Sequence, residues 1–225
     1  MDFTLDEPHQ AVVDLAADVL DRGGEPWPAL DKAGLLDLVV PAELGGPGLG
    51  VLATSLVLTE LGRRALDVPW QTLAVLPSVE DKNLLLLAGA CGYADGLLAG
   101  ALDLTKRHIA AREQFGRPLA TSQAVAQQIA DVYIAARTLH LATRSACWRL
   151  DTGRADQSDV DVAAYWLAAE LVPAMHTCHH LHGGLGLDIT YPMHRYYALA
   201  KQLTRFVGGV DLALDRLGAA TCSSN

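Results

Sequence analysis

Two short segments and a group of histidines hold most of the side chains in this 225-residue sequence that could do chemistry. The first segment is Arg112-Glu113-Gln114-Phe115-Gly116-Arg117-Pro118-Leu119, at the end of a long apolar pattern. A guanidinium that donates two parallel hydrogen bonds, a side-chain amide and an aromatic ring suit a phosphate joined to a flat ring system. A solvated arginine beside a buried phenylalanine has the same composition. The second segment is His182-Gly183-Gly184-Leu185-Gly186, whose glycines would let a ligand approach backbone donors; ordinary helix ends use glycine as well. Five of the eight histidines, His176, His179, His180, His182 and His194, fall within residues 176–194. His176, His179 and His180 would share one helix face, the spacing a metal needs. No carboxylate accompanies them, and a histidine cluster bonded to its own loop is the alternative.

The elements that must position these groups read as helices. Thr4-Leu5-Asp6-Glu7 has the form of a capping box, and apolar residues from Leu5 to Leu20 follow at helical spacing until Gly23-Gly24. A proline- and glycine-rich stretch ends in Glu43-Leu44-Gly45-Gly46-Pro47-Gly48, a loop by its chemistry. A helix over 51–65 follows. Residues 67–83 lack a clean period and form a junction. From Leu84 to Arg112 the pattern is one long helix rich in glycine and alanine; since glycine costs about 1 kcal/mol against alanine there, a closely approaching neighbour is expected. Residues 114–120 read as a loop. The next helix shows Val125, Ile129, Val132, Ala136, Leu139, Thr143 and Leu150 on one face and ends before Gly153. Ser158 is the expected cap of a third helix with Pro173 inside it, and a last helix runs from about Pro192 towards Leu217. The division is therefore 1–76, an N-terminal helical block; 77–83, a junction; and 84–225, a four-helix bundle. The expected fold class is all-α.

Composition narrows the function. Against 17 basic residues stand 26 acidic ones, a net charge of −9 that argues against nucleic acid or an anionic membrane as partner. The longest apolar stretch, Leu84 to Ala94, meets Asp95 and reads as too short to span a bilayer. Cys91, Cys147, Cys178 and Cys222 lie far apart without a Cys-x-x-Cys pair, which disfavours a disulfide framework and a structural zinc. Asp2, Asp6 and Glu7 replace the basic start of a secretory leader, so a cytoplasmic location is expected.

The segment from Arg112 to Leu119, followed by two long helices of which the second ends in Gly183-Gly184-Leu185-Gly186, resembles the C-terminal half of the acyl-CoA dehydrogenase family. Residues 35–50 and Thr59-Glu60-Leu61-Gly62 are similar to its N-terminal part. Residues 178–197 and Tyr93-Ala94-Asp95-Gly96 resemble most closely the smaller subunits of actinobacterial heteromeric enzymes acting on steroid side chains. The resemblance implies helices, a β-domain and a four-helix bundle, and an oxidation in which the α hydrogen of an acyl-CoA leaves as a proton and the β hydrogen as hydride to FAD. It also implies cofactor roles at a subunit interface. Arg112 would meet the FAD pyrophosphate, Gln114 and Phe115 the adenosine or pyrophosphate end, and Gly183 and Gly184 would pack beside it.

Three departures qualify this. His180 stands where the family commonly has glutamine, and a histidine can still donate to a phosphate. Val207 stands at the usual position of the catalytic glutamate, and residues 83–87 offer no carboxylate; Glu80 or Asp81 would serve only after a large shift of register. Proton abstraction by a placed base contributes typically about 10²–10⁴-fold, so the chain alone is expected to be inactive. Finally the β-domain, on the order of a hundred residues, has no counterpart near residues 77–84. The expected function is therefore the base-lacking subunit of a heteromeric FAD-dependent acyl-CoA dehydrogenase, whose partner supplies the carboxylate. A helical assembly protein without cofactor and a metal-binding helical bundle are the alternatives.

Overall fold

A computed structural model describes residues 4–74, 82–154 and 157–222. Pro77, Glu80 and Asp81 of the expected junction lie outside the described residues. The chain is all-α: α1 (Glu7–Asp21), α2 (Pro26–Lys32), α3 (Gly50–Arg63), α4 (Lys82–Ala111), α5 (Gln123–Asp151), α6 (Gln157–His182), α7 (Met193–Phe206) and α8 (Gly209–Cys222). The only strands among the described residues are β1 (Glu113–Gln114) and β2 (Arg117–Pro118).

Several local expectations change. Asp6 is the α1 cap instead of Thr4: its carboxylate accepts the His9 N–H at 3.1 Å, and Pro8 occupies the first turn, where a missing N–H costs nothing. Ser158 lies inside α6, and Pro173 sits within that helix without ending it. The last helix is two, because Gly208 and Gly209 take φ of +89° and +79° and break the path after Val207. The fourth arm of the bundle is thus α7 followed by α8, both packed on α6.

The glycine-rich character of α4 has the expected cause. A Cβ on Gly96 would stand 1.9 Å from the Thr59 carbonyl oxygen, and one on Gly62 would stand 2.2 Å from that of Tyr93. Helices α3 and α4 therefore cross with their backbones in contact, and the Thr59 hydroxyl donates across the crossing to the Gly92 carbonyl at 3.0 Å. The apolar run of α4 does not end at Asp95, which is 5% exposed and accepts from His140 Nδ1 on α5 at 2.9 Å. By length and composition residues 83–111 could cross a membrane, but 83% of the apolar window is covered by protein, the mark of a core helix. One hydrophobic core runs from Val12, Leu30 and Val57 to Leu97, Leu139, Leu167 and Leu203, joining the N-terminal helices to the bundle.

A contact about a hundred residues apart in sequence ties the two together. Asp151, at the end of α5, accepts the N–H groups of Val51 at 2.6 Å and Leu52 at 2.9 Å, capping α3 from another helix. Asp151→Ala should cost about 1–2 kcal/mol of stability, as loss of a helix cap does. Asp151→Asn, which keeps an acceptor oxygen, should recover part of it in the same denaturant titration.

Candidate functional site

Helix α4 hands the chain to the Arg112 segment under tight control. The Arg112 N–H donates to the His108 carbonyl at 2.8 Å, and its own carbonyl accepts from Leu119 at 2.8 Å. Between these bonds the chain folds back as a two-residue hairpin, Glu113 opposite Pro118 and Gln114 opposite Arg117, where a plain loop is expected from sequence. Phe115 and Gly116 take φ of +52° and +74°. Two positive φ angles in succession match the twist of an antiparallel pair, and Gly116 adopts its angle without strain. The turn holds the Phe115 ring out in solvent, 98% exposed.

On the other side, α6 passes directly into a 3-10 turn over Gly183–Leu187. The end of α4, the hairpin, the start of α5 and this turn enclose an open groove of about 750 Å³. Arg112, Gln114, His180, Gly183 and Gly184 all line it. Five of the six residues singled out from sequence thus meet at one place, and Phe115 stands outside, at the tip of the bordering hairpin. A Cβ on Gly183 or Gly184 would meet nothing within 4 Å, so the groove wall at those positions is bare backbone. Among its described lining residues there is no Asp or Glu. The groove is therefore a cationic, donor-rich surface suited to an anion.

His108, Gln128 and His182 also line the groove; the sequence singles out His182 in the glycine segment and the histidine group without a cofactor role, and does not single out His108 or Gln128. His108 stands four residues before Arg112, hence on the same helix face, which is a readable signal. The pairing of His108 with His182 is not readable, because α4 and α6 approach only in the folded bundle. Their rings stack at 4.5 Å with 24° between planes.

The other histidines do not converge. His176 is exposed, His179 packs its ring 5.6 Å from that of Tyr197, and His194 Nδ1 donates to the Tyr191 carbonyl at 2.7 Å. Among the described residues no three His, Cys, Asp or Glu side chains are placed to hold a metal ion. Val207, at the position expected of the base, is fully buried in the core at the end of α7. The buried acids are engaged elsewhere: Glu60 with Arg64 at 2.6 Å, Asp95 with His140, and Asp161 with Gln157 at 3.1 Å. Burial pushes the Cys147 and Cys178 thiols up to about 12 and about 11, which leaves neither as a nucleophile near neutral pH. An apolar pocket between α3 and α4, lined by Val51, Leu58, Trp70 and Leu85, encloses about 20 Å³, room for one water and for no acyl chain.

Residues 88–220 match the acyl-CoA dehydrogenase C-terminal domain and residues 5–81 the acyl-CoA dehydrogenase N-terminal domain. Acyl-CoA dehydrogenase FadE28 of Mycobacterium tuberculosis is 53% identical over 137 residues, 61% of this chain and 40% of that protein. FadE27 of the same organism is 37% identical over 131 residues, 55% of this chain and 35% of that protein. The aligned part of the chain thus spans well under half the length of these relatives. A solved structure of the ChsE4-ChsE5 complex from Mycobacterium tuberculosis superposes with a TM-score of 0.89 at 22% identity, covering 99% of each chain. The Tcur3481-Tcur3483 steroid ACAD G363A variant superposes with a TM-score of 0.88 at 22% identity, covering 98% of this chain and 99% of that one. At such identity the likeness is one of fold.

Proposed function

Because this chain belongs to the acyl-CoA dehydrogenase family, we propose that it is the base-lacking subunit of a heteromeric, FAD-dependent enzyme that dehydrogenates an acyl-CoA, with a steroid side chain as the acyl group. The observation that carries this reading is a contrast between two places in the fold. One groove gathers Arg112, Gln114, His180 and the bare backbone of Gly183 and Gly184, while the position of the base holds a buried valine.

The lining fits the cofactor. FAD, when bound, supplies the acceptor for the hydride that leaves the β carbon. Arg112 offers a planar fork of donors to pyrophosphate oxygens, Gln114 an amide, and His180 a ring N–H. Gly183 and Gly184 leave room for an anion to approach the backbone. With Val207 buried, no proton is taken from substrate at that position, so the carboxylate comes from the partner. Phe115, Leu187 and Ile189, exposed at 98%, 77% and 79% on the bordering hairpin and loop, give that partner an apolar surface to cover. A cytoplasmic location is part of this proposal, and the four free cysteines accord with a reducing compartment. A helical assembly protein without cofactor is the second reading, favoured by the one-water size of the apolar pocket.

Co-expression with an acyl-CoA dehydrogenase subunit that carries the glutamate should yield a complex with the visible absorbance of bound flavin. A purified complex free of flavin would refute the proposal in favour of the assembly reading. The chain alone should show no α,β-dehydrogenation; measurable turnover by it would overturn the assignment of Val207 to the base position.

A further inference from the structure

His182 is the most deeply buried charge-capable group of the groove wall, 4% exposed. Its Nδ1 lies 2.8 Å from the Cys178 carbonyl, which can only accept, so Nδ1 carries the hydrogen. In the neutral ring Nε2 is then a lone pair, and it is buried without a hydrogen-bond partner. His108 lies flat against this ring, and Tyr191 approaches it at 5.3 Å between ring centres. Both histidines border the groove.

The charged and titratable groups around the pair favour its neutral state while the groove is without an anion. On α4 stand Arg107 and Arg112, on α6 His179 and His180, and after the 3-10 turn Tyr191; Glu113 and Asp188 belong to the adjoining hairpin and loop, outside the lining. Burial holds His182 below the ordinary histidine range, the charges of His108 and His179 add to this, and the bond to Cys178 opposes it. Burial and the neighbouring Arg112 lower His108.

We propose that the stacked His108–His182 pair is a second anion contact of this groove, taking up a single proton when a pyrophosphate diester binds beside Arg112. The inference rests on the cofactor-site reading above. Protonation puts one positive charge on the stacked pair at the groove wall, and the bound phosphate supplies the negative charge that the wall lacks. Only one proton enters, because two stacked imidazolium rings would repel at close range. The proton belongs to the pair as a unit. The sign follows: the ligand-free pair titrates below the usual histidine value and the bound pair above that starting point. Affinity therefore strengthens as pH falls through the two midpoints, by about tenfold in all for midpoints one pH unit apart, and levels off below the lower midpoint.

ADP-ribose is the probe. It carries the adenosine and the pyrophosphate diester without a flavin, and its phosphates do not titrate near neutral pH. Histidine ring resonances of the chain would be followed by NMR from acid to neutral pH, with and without saturating ADP-ribose. They would be assigned through His108→Gln and His182→Gln, the more exposed His108 sufficing if the other variant does not fold. The midpoints of the pair should rise by about one pH unit on binding, and Arg112→Ala should abolish the response. Binding that depends on Arg112 but leaves the midpoints unmoved overturns this inference and spares the cofactor site. An absence of any groove response to ADP-ribose overturns this inference, while the flavin content of the co-expressed complex decides the cofactor site separately.

Discussion

Gly96→Ala should lower the unfolding midpoint by roughly 5–10 °C, the largest stability effect expected from a single methyl group in this chain. The added carbon would stand 1.9 Å from the Thr59 carbonyl oxygen, and 2.8 Å from the Arg63 backbone nitrogen. Neither obstacle is the end of a flexible side chain. Relief requires α3 and α4 to separate along a crossing where the Thr59 hydroxyl bonds to both Ser55 and Gly92. Overpacking of a tight interior costs typically about 1–3 kcal/mol, and in a domain of this size each kcal/mol is worth about 2–4 °C. Gly184→Ala is the matching control. Its Cβ would meet open space, so its thermal midpoint should stay near that of the parent, as surface changes within about 0.5 kcal/mol do. Equal losses from the two substitutions in a thermal scan would contradict the backbone-contact account of α4.

Arg112→Ala should deplete the flavin of the co-expressed complex, with affinity for added FAD falling about 10- to 100-fold. A hydrogen bond to a charged partner is worth about 1.5–3 kcal/mol, and Arg112 is the only Arg or Lys among the described lining residues of the groove. Arg112→Lys should fall in between, because a lysine keeps the charge but presents a point where the guanidinium presents a fork. Arg117→Ala provides the comparison. Arg117 sits on the paired strand of the same hairpin, exposed and outside the groove, and its loss should leave flavin content unchanged. Flavin absorbance per complex and fluorescence titration with FAD read both outcomes. An Arg112→Ala complex with parental flavin content would remove this residue from the cofactor site.

The helical framework was largely legible because its signals are local. Apolar spacing on α5, the stop at Gly23-Gly24 and the small residues of α4 each act within one or two turns of their neighbours. Errors came where a local signal had two readings. Thr4 and Asp6 both suit a cap, and the choice fell to the residue whose carboxylate reaches the His9 N–H. Asp95 looks like an end to an apolar run, yet a partner on the next helix makes it a core residue. Gly208 and Gly209 follow the position where a base is expected, and they are also the break that divides α7 from α8.

The site divides in the same way. Arg112, Gln114, Gly183 and Gly184 were readable because backbone freedom and donor chemistry are properties of a residue type in a short segment. So was the missing carboxylate, since valine has no acidic group in any fold. The tertiary structure alone decided which of these meet. It brought the ends of α4 and α6 to one groove, sent Phe115 outward on a hairpin tip, and stacked His108 on His182 across 74 positions of sequence. Side-chain identity is written into the chain one residue at a time. Proximity between distant residues, and the burial that leaves a ring nitrogen without a partner, are set by how the helices pack.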